Sequence, residues 1–140
     1  MKIKLLRTVS LGTLGVYWLG IFIGTHIPMG VRGLGRINDK VLHFGAYAGL
    51  AFLLAAALST LRVRHGTLLL PLVVAAVYGC VDELSQMAVP GRQAEVADWA
   101  ADVFGAGVGV FAFALLAIAL AKFFSSTCTV PRETVPESVG

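Results

Sequence analysis

Charge is what this sequence has least of. Only 14% of its 140 residues are Asp, Glu, Lys or Arg, while 57% are hydrophobic. A soluble domain carries roughly 25% charged residues. A soluble globule is therefore excluded, and the apolar residues, which come in long blocks, point to an integral membrane protein. The net charge of +3 then reports on topology first, and no nucleic-acid partner is expected. Cysteine is scarce as well. Cys80 lies inside an apolar block and Cys128 in the C-terminal tail, so no disulfide framework follows and no Cys/His metal site is expected. Catalytic signatures are also missing. Neither His-Glu-x-x-His nor Gly-x-Ser-x-Gly occurs, and Ser85 has no evident base to make it a nucleophile.

What is present is a set of apolar segments at about 8–25, 41–61, 67–88 and 99–124. Each approaches the ~20 residues that a helix needs to cross the hydrocarbon core. Barrel strands would alternate and be about half as long. The expected fold is an all-α bundle of four transmembrane helices, in which every backbone group is paired within lipid. The domain is 1–124. Residues 125–140 hold Pro131 and Pro136 and little hydrophobicity, and are expected to form a disordered cytoplasmic tail. The basic start, Met1-Lys2-Ile3-Lys4-Leu5-Leu6-Arg7, has the form of a signal peptide. No small-x-small cleavage site follows Gly24, so it reads as an uncleaved first span. With the N-terminus inside, Lys2, Lys4, Arg7, Arg62, Arg64, Lys122 and Arg132 are cytoplasmic, against Arg32, Arg36, Lys40 and Arg92 outside. The positive-inside rule selects this N-in, C-in arrangement for a multi-pass protein.

The eight carboxylates are unevenly placed. Asp82 and Glu83 lie at the end of the third span, Glu95 and Asp98 in the connection after it, Asp102 at the start of the fourth, and Asp39 just ahead of the second. On helix two, Asp39, His43 and Tyr47 share an arc of about 80°. Tyr78, Asp82 and Gln86 form a row on helix three, flanked by Gly79 and Glu83. On helix four, Asp98, Asp102, Gly105 and Gly109 lie within about 60° of one another. With 1.5 Å of rise per residue, His43, Glu83, Gln86, Asp98 and Asp102 all fall within roughly 8 Å of the outer boundary. Asp39 and Asp98 also suit helix N-termini as capping charges. Glu83 and Asp102 are deeper, where ionisable groups usually face the bundle interior. Ala101-x-x-x-Gly105-x-x-x-Gly109 is a stripe of small residues that lets another helix approach closely. Packing within the chain is preferred for it over oligomerisation through Gly105 and Gly109. Pro90-Gly91 reads as a turn that brings Arg92 back towards Glu83, Asp98 or Asp102. Tyr17 and Trp18, mid-span in helix one, are expected to be packing residues.

The ordered set Asp39-Lys40-x-x-His43-x-x-x-Tyr47, Glu83-x-x-Gln86, Pro90-Gly91-Arg92 and Asp98-x-x-x-Asp102-x-x-Gly105-x-x-x-Gly109 resembles the VanZ-like family. These are small bacterial membrane proteins named for a glycopeptide (teicoplanin) resistance protein. The resemblance covers about residues 25–110, and includes the exit Thr25-His26-Ile27-Pro28. It departs at Asp102, where the family often has Asn. It implies a four-helix domain in a bacterial inner membrane and a link to the cell envelope; it supplies no reaction and leaves any cofactor unknown.

Three readings of the polar layer follow. In the first, it binds the head group of a membrane lipid or lipid-linked cell-wall precursor, with the chain lying against the helices. Lys40, His43 and Arg92 would face anionic groups, and Tyr47, Gln86 and the carboxylates Asp39, Glu83, Asp98 and Asp102 would hold hydroxyls. Glycopeptide tolerance would follow from altered access to precursors. The outer carboxylates outnumber the outer basic residues, so an anionic head group would need a bound cation or carboxylates already paired. In the second reading the protein is an enzyme on a lipid-linked head group. His43 or Glu83 would be the general base, Arg92 would stabilise negative charge, and Asp and Glu with His could hold Mg²⁺ or Mn²⁺. The third is a polar network with a structural role alone.

Overall fold

The computed structural model describes residues 2–27, 39–61 and 68–127. Arg32 and Arg36, expected in an outer loop, Arg62 and Arg64, expected in a cytoplasmic turn, and Cys128, Arg132 and the rest of residues 128–140 lie outside the described residues. Four helices run through the remainder: α1 (Lys2–Thr25), α2 (Asp39–Thr60), α3 (Leu69–Gln86) and α4 (Val96–Thr127). All four are long and apolar enough to cross a membrane.

The helix ends depart from the apolar blocks in an instructive way. α1 starts at Lys2 and α2 at Asp39, ahead of the expected 8 and 41, because a helix persists into the polar interface where its backbone is still best paired with itself. α4 continues past Phe124 to Thr127. There the Ser125 and Ser126 hydroxyls each donate to the Lys122 carbonyl at 2.9 Å, which helps satisfy carbonyls that a helix end leaves open. The expected tail from 125 thus begins inside a helix.

The bundle is built around α2. Tyr47, Leu50, Ala51, Leu54, Ala55 and Ala57 of that helix are buried, with Ile21, Ala75 and Ala106 packed from its neighbours. α2 and α4 make the most extensive interface, and the small-residue stripe explains it. A Cβ at Gly105 would collide with the Phe44 backbone carbonyl, and one at Gly109 with that of Ala48. The stripe is therefore spent on packing within the chain. α1 rests mainly on α2, touches α3 lightly and does not reach α4. Tyr17 anchors it by donating to the Ala46 carbonyl at 3.1 Å and by lying over Gly49. Trp18 meets the edge of Tyr78, ring centroids 5.0 Å apart. Both are packing residues, as expected. The outer surface carries Val16, Leu19, Val77, Val81, Phe104 and Phe111. An apolar surface over a polar interior inverts the soluble pattern and suits a lipid solvent.

Candidate functional site

The polar interior lies at one end of the bundle, where α1 ends, α2 begins, α3 ends and α4 begins. Its geometry starts with the turn between α3 and α4. Arg92 N–H donates to the Val89 carbonyl at 3.1 Å, across Pro90 and a Gly91 with φ of 80°. Proline followed by a positive-φ glycine is the type II turn pattern. The turn swings Arg92 under the bundle end. There Nη1 donates to the Thr25 carbonyl at 2.9 Å and Nη2 to Asp39 Oδ2 at 2.8 Å. Arg92, whose side chain is only 4% exposed, thereby ties α1, α2 and the turn together. The sequence had pointed it at Glu83, Asp98 or Asp102. The turn directs it instead across the bundle end, where the open carbonyls of α1 and the first acid of α2 are nearer.

Lys40 closes the other side. Its ammonium donates to Glu95 Oε2 at 2.9 Å and to Asp98 Oδ1 at 2.8 Å. Asp39 and Asp98 both sit in first turns of helices, where a negative charge is favourable, and both also take a cation.

Beneath this rim lies a deeper layer. His43 is 2% exposed, Asp82 1%, Glu83 5%, and Tyr47, Gln86 and Asp102 0%. His43 Nδ1 stands 2.9 Å from Asp102 Oδ1 and 3.7 Å from Glu83 Oε1. Glu83 Oε2 accepts the backbone N–H of Glu95 at 3.0 Å, so the α3–α4 connection fixes that carboxylate. Asp82 is held by Thr25 Oγ1 at 3.0 Å and by Gln86 Nε2 at 2.9 Å. Gly79 leaves room for the pair above it, since a Cβ there would come within 2.9 Å of Asp102 Oδ2 and 3.3 Å of Tyr47 Cε1. Several buried atoms in this layer have no hydrogen-bond partner among the described residues: His43 Nε2, the Tyr47 and Tyr78 hydroxyls, Glu83 Oε1, Gln86 Oε1 and Asp102 Oδ2. Buried polar atoms are normally paired, so these atoms have hydrogen-bonding capacity that the described residues leave unused.

An open cavity of about 680 Å³ adjoins it between α1 and α2, lined by apolar residues such as Val16, Ile21, Leu42 and Ala46. Gly20 and Gly24 smooth its α1 wall, and Thr25 and His43 are its polar lining. A hydrocarbon groove thus reaches the edge of the buried polar layer.

The nine candidate site residues are all found at this end. Asp39, Lys40, Arg92 and Asp98 form the rim. His43, Tyr47, Glu83, Gln86 and Asp102 form the buried layer. Asp82, Thr25, His26, Ser85 and Glu95 also take part, outside the candidate site residues. His26 Nδ1 lies 2.8 Å from the Phe22 carbonyl and Nε2 3.0 Å from Ser85 Oγ. Asp82 belongs to the helical row with Tyr78 and Gln86, and that spacing is the signal for it. Thr25-His26, polar residues closing an apolar span, gave a weaker signal. The cluster also brings together two sets able to hold a metal ion, Asp39–His43–Asp98 and His43–Glu83–Asp102, which share one imidazole.

A profile of the VanZ/LLP1 family matches residues 5–119, which takes in the whole polar layer. Comparison with curated proteins and with solved structures gives no match. The chain belongs to the VanZ/LLP1 family and is a multi-pass membrane protein with four candidate spans.

Proposed function

For this VanZ/LLP1 family member we propose the binding of a lipid or lipid-linked envelope-precursor head group in the polar layer, with the hydrocarbon chain lying in the α1–α2 groove. One observation carries the reading: an apolar cavity of about 680 Å³ runs up to Thr25 and His43, beside buried polar atoms that have no hydrogen-bond partner among the described residues. Ligand pockets of this kind are mostly apolar with a few convergent polar groups. Tyr47, Gln86, Glu83 and Asp102 would exchange hydrogen bonds with head-group hydroxyls. Arg92 and Lys40, held by Asp39, Asp98 and Glu95, would shape the rim. The topology that goes with this is N-in and C-in, with the site facing out of a bacterial inner membrane. Glycopeptide tolerance would be a consequence of sequestering precursors.

The test is native mass spectrometry of the detergent-purified chain with its co-purified lipids. Gly20→Leu fills a groove wall where a Cβ meets nothing within 4 Å, so it should strip the bound lipid and leave the fold intact. Unchanged lipid occupancy in that variant would refute the reading.

A second reading has its own support. A buried imidazole with one nitrogen 2.9 Å from a carboxylate and the other without a partner is the arrangement of an oriented general base. His43 would be the base and Asp102 its positioning residue. Chemical change of the co-purified lipid on incubation, lost in His43→Ala, would select it.

A further inference from the structure

We infer that His43, Glu83 and Asp102 bind a divalent cation of the Zn²⁺ or Mn²⁺ class, one ligand from each of three helices. The argument begins with distance. One donor atom from each residue falls within 4.8 Å of the others, with separations of 2.9 Å from His43 Nδ1 to Asp102 Oδ1 and 3.7 Å to Glu83 Oε1. Around an ion with bonds of about 2.0–2.2 Å, neighbouring donor atoms stand about 3.0–3.5 Å apart. The triad brackets that spacing before any ion draws it in.

The second observation is the orphaned atoms. Glu83 Oε1, Asp102 Oδ2, His43 Nε2 and the Tyr47 hydroxyl are buried without a hydrogen-bond partner among the described residues. Glu83 Oε1 is itself one of the donors nearest His43 Nδ1, and Asp102 Oδ2 lies with the Tyr47 ring beside Gly79. The third is charge. Arg92 is committed to Asp39, and Lys40 to Asp98 and Glu95. Among the described residues no Lys or Arg nitrogen lies within 4 Å of Glu83 or Asp102, and the His43 imidazole is the one basic side chain that close to them. Two carboxylates so deep in a low-dielectric interior are costly unless compensated. One divalent cation with a neutral imidazole balances them.

Donor chemistry narrows the ion. One nitrogen and two carboxylate oxygens suit Zn²⁺ or Mn²⁺ better than Mg²⁺ or Ca²⁺, which prefer oxygen alone. Three protein ligands also leave a coordination position open, the form taken by catalytic zinc sites. The shallower set, Asp39–His43–Asp98, is the rival. Its carboxylates already hold Arg92 and Lys40, so it lacks the unmet charge.

The inference shares Glu83 and Asp102 with the lipid reading, so its test is run on delipidated protein, where metal uptake and lipid occupancy fail separately. The full-length chain is stripped with chelator in detergent and titrated with ZnCl₂ or MnCl₂, and bound metal is measured by elemental mass spectrometry. Wild type should take up one equivalent. Losing even an outer partner of a metal site weakens it by about 10–100-fold. Glu83→Gln and His43→Ala should therefore lose at least tenfold in affinity, while Asp98→Asn keeps it. Should the first two variants fail to fold, wild type alone decides. Its unfolding temperature should rise with Zn²⁺ or Mn²⁺ and not with equal Mg²⁺. No uptake by wild type, no thermal shift, or loss confined to Asp98→Asn would overturn the inference.

Discussion

Three glycines of α4 should respond oppositely to one chemical change. A Cβ at Gly105 meets the Phe44 carbonyl oxygen and lies 3.0 Å from its Cα, and one at Gly109 meets the Ala48 carbonyl in the same way. At Gly107 a Cβ meets nothing within 4 Å. Glycine to alanine inside a helix is worth about 0.5–1 kcal/mol in favour of alanine. At Gly107 that gain stands alone. At Gly105 it is set against overpacking, which typically costs about 1–3 kcal/mol. The upper part of that range applies, because the obstacle is helix backbone that cannot rotate away. Gly105→Ala should therefore lose about 1–2 kcal/mol while Gly107→Ala gains up to about 1. The two variants are separated by about 2–3 kcal/mol on the same helix. Gly109→Ala should resemble Gly105→Ala, and the double variant should cost less than the sum, because relaxing one contact relaxes its neighbour. Reversible unfolding in mixed micelles, followed by circular dichroism, measures the difference. If Gly107→Ala proves as damaging as Gly105→Ala, the α2–α4 approach is not what the stripe serves.

Other outcomes follow from the rim. Arg92→Ala removes both bridges to α1 and α2 and should speed amide hydrogen exchange at the α1 C-terminus while leaving the middle of α4 unchanged. Uniform acceleration through the bundle would contradict the latch. Gly91→Ala forces a side chain into positive φ, which costs about 1 kcal/mol, and a thermal shift measured beside Gly107→Ala should have the opposite sign. A single cysteine at Gln93, exposed in the turn, should react with impermeant reagent from outside whole cells. Labelling only from the cytoplasmic side would reverse the proposed topology.

Much of this architecture was legible because lipid leaves so few choices. An apolar block of the right length can only be a helix, so the number and order of elements followed from composition. The i, i+4 rows also read correctly. Positions such as His43 and Tyr47, or Asp82 and Gln86, share a face whatever the tertiary fold, and a glycine stripe on α4 marks the side that meets a neighbour. Pairings between helices were less accessible. Which acid takes Arg92 depends on the swing of a type II turn and on the rotation of α1, neither of which residue spacing encodes. The same holds for the meeting of His43, Glu83 and Asp102. Spacing places each at a similar depth, but whether three side chains on three helices converge within 4.8 Å is decided by packing, here by the glycines that draw α4 onto α2 and make room beside α3.

The attachment of α1 bears on how the protein is assembled. Its C-terminal end is tied to Asp82, Ser85 and Arg92, at sequence separations of 57, 59 and 67 residues. A ribosome adds about 5–20 residues per second, so roughly 3–13 s pass between synthesis of Thr25 and of its most distant partner. The first span made is thus the last to be secured. Until the α3–α4 turn emerges, α1 leans on α2 through Tyr17, with Thr25 and His26 at the membrane edge where water can serve them. A chain interrupted before Asp82 would leave that helix in the bilayer without the partners of its C-terminal end, in a form that quality-control proteases would meet.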